Sequence, residues 1–252
     1  MSATQRLAGK TVVITGGSTG LGFATARAFI QEGARVIITG KNEERLATAA
    51  RELGEAAIPV RTDVRRLEDL DTLAGRAREA FGHVDVLFAN AGIGGVVPLE
   101  LVTEAFYDDV FNTNVKGLFF TVQKLVGLLK PSSSVILNAS TVSAKGAPAS
   151  TIYFATKAAV RSLARTLAAE LGPRGIRVNA LSPGMVPTEF QGKMGVPPEA
   201  IQGMYSHVTA ATPLGRMGHA EEIAKAAVFL ASDESSFMSA SELLVDGGYR
   251  DV

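Results

Sequence analysis

The residue types best suited to chemistry lie between Ser140 and Lys157, in the stretch STVSAKGAPASTIYFATK. Tyr153 and Lys157 are four residues apart, so on a helix they share one face, one turn apart. An ammonium near a phenol favours the phenolate and lowers the tyrosine pKa from its usual value of about 10. Ser140 adds a hydroxyl that could orient a carbonyl or alcohol oxygen. The stretch therefore predicts a proton donor for such a group.

The composition limits the classes of protein to which this stretch can belong. The 252 residues suit one large α/β domain, and 25 Lys+Arg balance 25 Asp+Glu, so charge gives no reason to expect nucleic acid or an anionic membrane as partner. The absence of cysteine excludes disulfides, thiolate catalysis and Cys-based metal sites. The three histidines are widely separated, so we expect no metal cofactor, although an all-oxygen site stays open.

The sequence shows no sign of a signal peptide or of a membrane-spanning segment. The first ten residues hold no apolar core of signal-peptide length. No apolar run approaches the roughly 18 residues needed to span a bilayer. We therefore expect a soluble, cytoplasmic protein.

Short β-branched runs alternate with longer helical patterns along nearly the whole chain. Most of the runs are almost continuously apolar, as in parallel strands covered by helices on both faces. The sequence predicts one α/β domain over residues 1–252, with a doubly wound parallel sheet of about seven strands. The predicted strands are Thr11–Thr15, Arg35–Thr39, Ile58–Thr62, Val84–Ala89, Ser134–Asn138, Ile176–Leu181 and Glu242–Val245, and the predicted helices are 21–32, 42–53, 67–81, 104–129, 153–171 and 220–231.

Residues 187–212 interrupt this alternation with glycines and prolines among apolar residues. Such an insertion after a strand end predicts a lid over an active site. The alternative is a loosely packed surface excursion.

The first predicted strand runs into the glycine-rich turn TGGSTGLG, Thr15–Gly22, and then into an alanine-rich helix. Strand, glycine turn and helix N-terminus form the context of a dinucleotide-binding fingerprint, since glycine admits a pyrophosphate and free N–H groups favour its charge. No Gly-Lys-Ser/Thr follows, so this is not a Walker loop. Unless the segment is merely a tight turn, it predicts cofactor contacts from Gly16, Gly20, Leu21 and Gly22.

The ends of the next strands refine the predicted cofactor. An acidic residue commonly binds a free ribose 2′-hydroxyl at the end of the second strand, but Gly40 stands there, followed by Lys41. A positive charge suits a 2′-phosphate, so the sequence predicts NADP(H); the alternative is an ordinary solvated lysine. Asp63, before Val64, could accept the adenine amino group or cap the next helix. The small residues of Asn90-Ala91-Gly92 let a flat cofactor lie against the backbone.

Taken together, these motifs resemble the short-chain dehydrogenase/reductase family over essentially the whole chain. The matching residues are TGGSTGLG at Thr15–Gly22, Asp63-Val64, Asn90-Ala91-Gly92, Asn114, Ser140, Tyr153 with Lys157, Pro183-Gly184 with Thr188, and Asp246-Gly247-Gly248. The resemblance implies a Rossmann-type fold and a catalytic set of Asn114, Ser140, Tyr153 and Lys157. In such enzymes the tyrosine is the general acid/base and the serine positions the substrate oxygen. The lysine binds the nicotinamide ribose and lowers the tyrosine pKa, and the asparagine supports a proton relay through water.

The resemblance also implies further cofactor contacts. Thr188 would contact the nicotinamide carboxamide, and Ser18 would add a hydroxyl near the 2′-phosphate. Tyr153 and Lys157 would touch the cofactor as well, and the remaining lining residues would be Ile14, Pro183, Gly184 and Val186. The sequence departs from the family pattern in three places: Ala89 replaces an asparagine, the pair Ser239-Ala240 replaces Thr-Gly with an expected effect on packing, and His219 replaces a proline.

Within the family, the chain is most similar to bacterial NADP(H)-dependent secondary-alcohol dehydrogenases or ketoreductases. Small residues after Ser140 and the apolar candidate lid favour an uncharged hydrophobic ketone. The alternatives are a 3-oxoacyl-thioester (acyl-carrier-protein) reductase, a sugar or polyol dehydrogenase, and a non-enzymatic NADP(H) sensor. In the resembling family the helices corresponding to 104–129 and 153–171 pair across a two-fold axis, so we predict a homotetramer.

Overall fold

The computed structural model describes residues 5–192 and 194–252. Within them, seven parallel strands form one sheet in the order β3-β2-β1-β4-β5-β6-β7. The strands are β1 Thr11–Ile14, β2 Arg35–Gly40, β3 Ala57–Arg61, β4 Val84–Ala89, β5 Leu129–Asn138, β6 Arg177–Pro183 and β7 Glu242–Val245. The predicted doubly wound, single-domain α/β fold is confirmed.

The sheet separates two apolar cores. Alternate residues of a strand point to opposite faces, so Val12 packs into one core and Val13 into the other. All four residues of β1 are buried, because helices cover both faces of this central strand. The apolar runs in the sequence are continuous because both faces of such a strand are covered.

Helices on each face supply the other half of each core. The helices are α1 Gly20–Gln31, α2 Glu43–Leu53, α3 Leu67–Phe81, α4 Glu104–Phe111, α5 Leu118–Leu125, α6 Thr151–Leu171, α7 Glu189–Gly192, α8 Pro198–Ala211 and α9 Ala220–Ala231. Buried residues of α3, α5 and α6 pack on one face of the sheet, and those of α1, α2 and α9 pack on the other. Among the described residues, no helix has both the length and the apolarity to cross a membrane.

The predicted helix 104–129 differs from the structure in one informative way. α4 and α5 are joined without a break by a π-helical turn, Asn112–Gly117, and a 3-10 turn, Val126–Leu128, follows α5. At Gly117 the helix lies so close to the loop after β3 that an added Cβ would be 2.7 Å from a methyl carbon of Val64. Single π-turns are found mostly at functional sites, and this one carries Asn114.

The segment 187–212 is more regular than the sequence indicated. It contains the single turn α7 and the 14-residue helix α8, which begins with a proline at its first position, where the missing N–H group costs nothing. Only Val208 of α8 is buried, so this helix packs lightly on the rest of the chain. Lys193, inside the segment, lies outside the described residues.

The Ser239-Ala240 departure affects the backbone rather than packing. Ala240 is exposed and has a φ of 59°, in the left-handed region where a Cβ costs about 1 kcal/mol or more. We expect Ala240→Gly to raise the free energy of unfolding by about 1 kcal/mol, because relief of this strain outweighs the added freedom of the unfolded chain. Urea denaturation measures the change.

The matched control is Ala47→Gly, at an exposed position inside α2. The same substitution there is expected to lower the free energy of unfolding by about 1 kcal/mol. If Ala240→Gly destabilised the protein as Ala47→Gly does, backbone strain at Ala240 would be ruled out.

Candidate active site

The carboxyl ends of the strands meet at one edge of the sheet, and the predicted functional residues gather there. Chain order reverses between β1 and β4, which is the point where open α/β sheets bind ligands. Every predicted cofactor contact outside α6 lies at a strand end, just beyond one, or in the first turn of α1: Gly16, Ser18, Gly20, Leu21, Gly22, Gly40, Lys41, Asp63, Val64, Asn90, Ala91, Gly92, Pro183, Gly184, Val186 and Thr188.

Asn114 is held rigidly in the π-helical turn. Its Nδ2 donates to Ile93 O at 2.8 Å and to Thr156 Oγ1 at 3.0 Å, and its Oδ1 accepts from Ile93 N at 2.8 Å. The residue is 1 % exposed, and Thr156 in turn donates to Tyr153 O at 2.7 Å. Asn114 therefore ties the loop after β4 to the first turn of α6.

Lys157 is a buried lysine on the inner face of α6. Its Nζ donates to Asn138 O at 2.8 Å and lies 5.7 Å from the centroid of the Tyr153 ring. A Cβ built on Gly92 would lie 3.6 Å from Nζ, so the loop after β4 passes directly over the amine. Burial lowers the pKa of Lys157 to about 8, because the ammonium has lost water.

Tyr153 differs from the sequence-based expectation in the direction of its pKa shift. Burial raises the pKa of the phenol to about 12, and a hydrogen bond with Ser140 acts in the opposite direction. Lys157 Nζ lies 5.7 Å from the centroid of this ring, and the amine is itself desolvated. In this structure the desolvation of the phenol dominates, so the net shift of the tyrosine pKa is upward rather than downward.

Ser140 stands at the end of β5 and caps a short 3-10 turn, Thr141–Ala144. Its Oγ accepts from Val142 N at 3.4 Å. Asn138, two residues earlier, donates from Nδ2 to Asn90 Oδ1 at 2.9 Å. Asn90 Nδ2 donates to Thr15 O and Gly16 O at 3.0 and 3.1 Å, so a chain of amides joins the catalytic strand to the glycine turn.

The glycine turn has the geometry that a pyrophosphate requires. Gly16 and Gly20 have φ of 65° and 55°, and a Cβ on Gly22 would lie 2.1 Å from Gly16 O. The N-cap residue of α1, Thr19, makes no side-chain cap, and the first turn carries no acidic residue. The N–H groups at this helix end are thus left for an anion, and the residues present fit a dinucleotide.

On the predicted adenosine side of the cleft, two predicted contacts adjoin, and one alternative role of Asp63 is excluded. A Cβ on Gly40 would lie 2.9 Å from Ser18 Oγ, so these two residues adjoin, and the exposed Lys41 is near enough to help lower the pKa of Asp63. Asp63 does not cap α3, whose N-cap residue is Arg66. The carboxylate instead accepts from the N, Nε and Nη2 groups of Arg65, the main cause of its lowered pKa.

The segment after β6 forms the side of the cleft that is predicted to hold the nicotinamide. A Cβ on Gly20 would lie 3.5 Å from the Thr188 side chain, which places Thr188 across the cleft from the glycine turn. Val186 is 5 % exposed. Ile14, implied as a lining residue, has no exposed surface and belongs to the core, so its side chain cannot line the cofactor.

Phe190 of α7 packs against Tyr153. Its ring centroid lies 5.9 Å from that of Tyr153. A Cβ on Gly94 would come within 2.9 Å of the Phe190 ring, so only glycine fits beneath it.

Sequence reasoning missed three residues of this site: Thr156, Gln191 and Arg65. Their types carry no signal alone, because threonine in a helix, glutamine in a predicted lid and arginine after a strand are common on surfaces. Their roles arise from contacts with Asn114, Thr188 and Asp63.

Comparison with known proteins agrees with the fold. A family model described as Enoyl-(Acyl carrier protein) reductase matches residues 16–250. The chain is 45 % identical over 256 residues to oxidoreductase asL5 of Sarocladium schorii, with 100 % of both chains covered.

Two solved structures match as well. A short-chain type dehydrogenase/reductase from Mycobacterium marinum has a TM-score of 0.90 at 31 % identity, covering 99 % of this chain and 98 % of that one. A 3-ketoacyl-(acyl-carrier-protein) reductase from Brucella melitensis, complexed with NADH, has a TM-score of 0.89 at 32 % identity, covering 97 % and 99 %. The chain belongs to the short-chain dehydrogenase/reductase family of oxidoreductases.

Proposed function

We propose that this protein transfers a hydride between NADP(H) and a ketone or secondary alcohol. The observation that carries the proposal is that Ser140, Tyr153 and Lys157 lie at the same edge of the sheet as the uncapped start of α1, with the phenol hydrogen-bonded to Ser140 and the amine beside Gly92. A proton donor and a dinucleotide cradle in one cleft are the two parts that carbonyl reduction needs. A bound nicotinamide supplies or accepts the hydride.

The chain's own residues handle the proton. In reduction, Tyr153 donates its phenolic proton to the substrate oxygen, which Ser140 orients. Lys157 holds the ribose and favours the phenolate that remains. Asn114, fixed by Ile93 and Thr156, supports the path by which a proton returns through water.

The substrate pocket favours an uncharged hydrophobic ketone. The turn after Ser140 is built from small or weakly polar residues, and Phe190 closes the site from the side of the lid. Residues 187–212 would serve as that lid, since only Val208 of α8 is buried against the rest of the chain.

We further propose that the protein is cytoplasmic and that it assembles as a homotetramer. Exposed Phe119 and the stacked pair Tyr107–Phe111 on α4 and α5 support a helix-mediated interface.

A second candidate is reduction of a 3-oxoacyl thioester on an acyl carrier. The match to the reductase from Brucella melitensis favours it. Such an enzyme needs a basic surface for the carrier, and two of the arginines that could provide one are engaged elsewhere. Arg161 pairs with Glu242, and Arg174 donates to Val126 O and Leu129 O.

The experiment that tests the proposed function is NADPH oxidation by the wild-type protein with aryl ketones, β-ketoesters, acyl thioesters and sugars. We expect the highest kcat/KM with an uncharged aryl ketone and lower values with NADH than with NADPH. Turnover confined to thioesters would favour the second candidate. Higher kcat/KM with NADH would contradict the NADP(H) assignment.

Lys41→Ala tests the cofactor preference directly. We expect kcat/KM for NADPH to fall about ten-fold, since a charge-assisted hydrogen bond to the 2′-phosphate is lost, while the value for NADH stays unchanged. The charge-matched control is Arg51→Ala. Arg51 is exposed, as Lys41 is, but lies inside α2, and its loss should alter neither value. An equal fall in kcat/KM for NADPH and NADH would show that Lys41 does not bind the 2′-phosphate.

A further inference from the structure

Gln191 is a buried amide behind the segment that faces the nicotinamide side of the cleft. It belongs to α7, the single turn at the start of the candidate lid, and is 6 % exposed. A glutamine is seldom buried so fully unless its amide is satisfied by partners.

Both ends of the Gln191 amide bind one short segment, Met185–Thr188. Oε1 accepts from Thr188 N at 2.9 Å and from Thr188 Oγ1 at 3.4 Å. Nε2 donates to Val186 O at 3.0 Å and approaches Met185 Sδ at 3.5 Å. The side chain thus supplies hydrogen-bond partners to the backbone groups of an irregular segment, which has no regular secondary structure to satisfy them.

The chemistry of this position requires an amide. One end must accept from an N–H group, and the other must donate to a carbonyl. A glutamate would turn a second acceptor toward Val186 O, and a methionine would leave both backbone groups without a partner. Helix propensity does not explain the choice, since α7 has only four residues.

We propose that Gln191 is a positioning residue for the nicotinamide end of the cofactor. It holds Thr188 so that this residue faces Gly20 across the cleft, where a Cβ would lie 3.5 Å from the Thr188 side chain. Because α7 also carries Phe190 over Tyr153, the same amide fixes the base of the lid above the catalytic tyrosine. This inference rests on the proposed function, in which the cleft takes NADP(H).

The test compares the whole cofactor with its adenosine half. Calorimetric titration measures the Kd of NADP⁺ and of adenosine 2′,5′-bisphosphate for the wild type, for Gln191→Met and for the control Gln31→Met, an exposed position at the end of α1. We expect Gln191→Met to raise the Kd of NADP⁺ about ten-fold and to leave that of the bisphosphate unchanged, because only the nicotinamide end loses its support. The control should change neither.

Three results would overturn the inference. An unchanged Kd for NADP⁺ would show that Gln191 positions nothing, and an equal rise for both ligands would show a general structural role. A wild type that bound neither ligand would overturn the proposed function as well, which separates the two failures. If Gln191→Met does not fold, Gln191→Glu makes the same comparison, with the same expected direction.

Discussion

The Tyr153→Phe variant is expected to lose about a thousand-fold in kcat while its Kd for NADP⁺ stays within two-fold of the wild type. General acid catalysis contributes on the order of 10²–10⁴ in rate, and the phenol hydroxyl is the proposed proton donor. The ring itself remains, so its contact with Phe190 at 5.9 Å between centroids persists and the site keeps its shape. Steady-state rates with an aryl ketone and calorimetry with NADP⁺ measure the two quantities.

Tyr107→Phe is the matched control. Tyr107 lies on α4, is 43 % exposed and stacks on Phe111 in the proposed subunit interface. Removing its hydroxyl leaves this stacked ring in place, so kcat should change by less than about two-fold. A protein that senses the cofactor without turnover would respond equally to both variants, and that result would refute the proposed proton transfer.

Lys157→Met is expected to lower kcat about a hundred-fold and to change how stability depends on pH. The rate falls because the charge that favours the phenolate is removed from a site with little water. The stability of the protein without cofactor changes for a separate reason. The wild type must bury an ammonium whose folded pKa is about 8, compared with 10.5 for the unfolded chain.

The sign of the pH effect follows from linkage. Between these two pKa values the unfolded state binds a proton that the folded state does not, so wild-type stability rises with pH in this window. The cost of the charge is fully present below pH 8 and is lost as pH rises toward 10.5. The free energy of unfolding of Lys157→Met minus that of the wild type should therefore shrink by roughly 2 to 3 kcal/mol between pH 7 and pH 10.

The control for this experiment is Lys225→Met, an exposed lysine on α9. Its difference from the wild type should stay constant over the same pH range, because the exposed ammonium keeps its water in both states. A constant difference for Lys157→Met would mean that the ammonium is not desolvated, and the low pKa would be wrong.

Features that depend on neighbours in the chain could be predicted from the sequence. The apolar runs predicted all seven strands, and the glycine turn between strand and helix predicted the cradle at α1. The four-residue spacing of Tyr153 and Lys157 placed both on the inner face of α6. Periodicity, turn chemistry and helix geometry act over a few residues, so the order of residues is enough to infer them.

Features that depend on contacts between residues far apart in the chain could not be predicted from the sequence. The π-helical turn that interrupts the predicted α-helix 104–129 holds Asn114, whose partners Ile93 and Thr156 are 21 and 42 residues away in the chain. The Asp63 carboxylate accepts from Arg65 and does not cap α3, and the same arginine also donates to Asp109 on α4, 44 residues away in the chain.

The pKa of Tyr153 shows most clearly what the sequence could indicate and what only the tertiary structure decided. The sequence placed a cation near the phenol and so indicated a lowered value. Only the fold decides how much water each group loses, and burial raises the tyrosine pKa while it lowers that of Lys157. The types and spacing of the chemical groups were determined by the sequence alone. Their solvation, and the positions that Gln191 and Thr156 impose, were decided by tertiary packing, because desolvation depends on every element that surrounds the site.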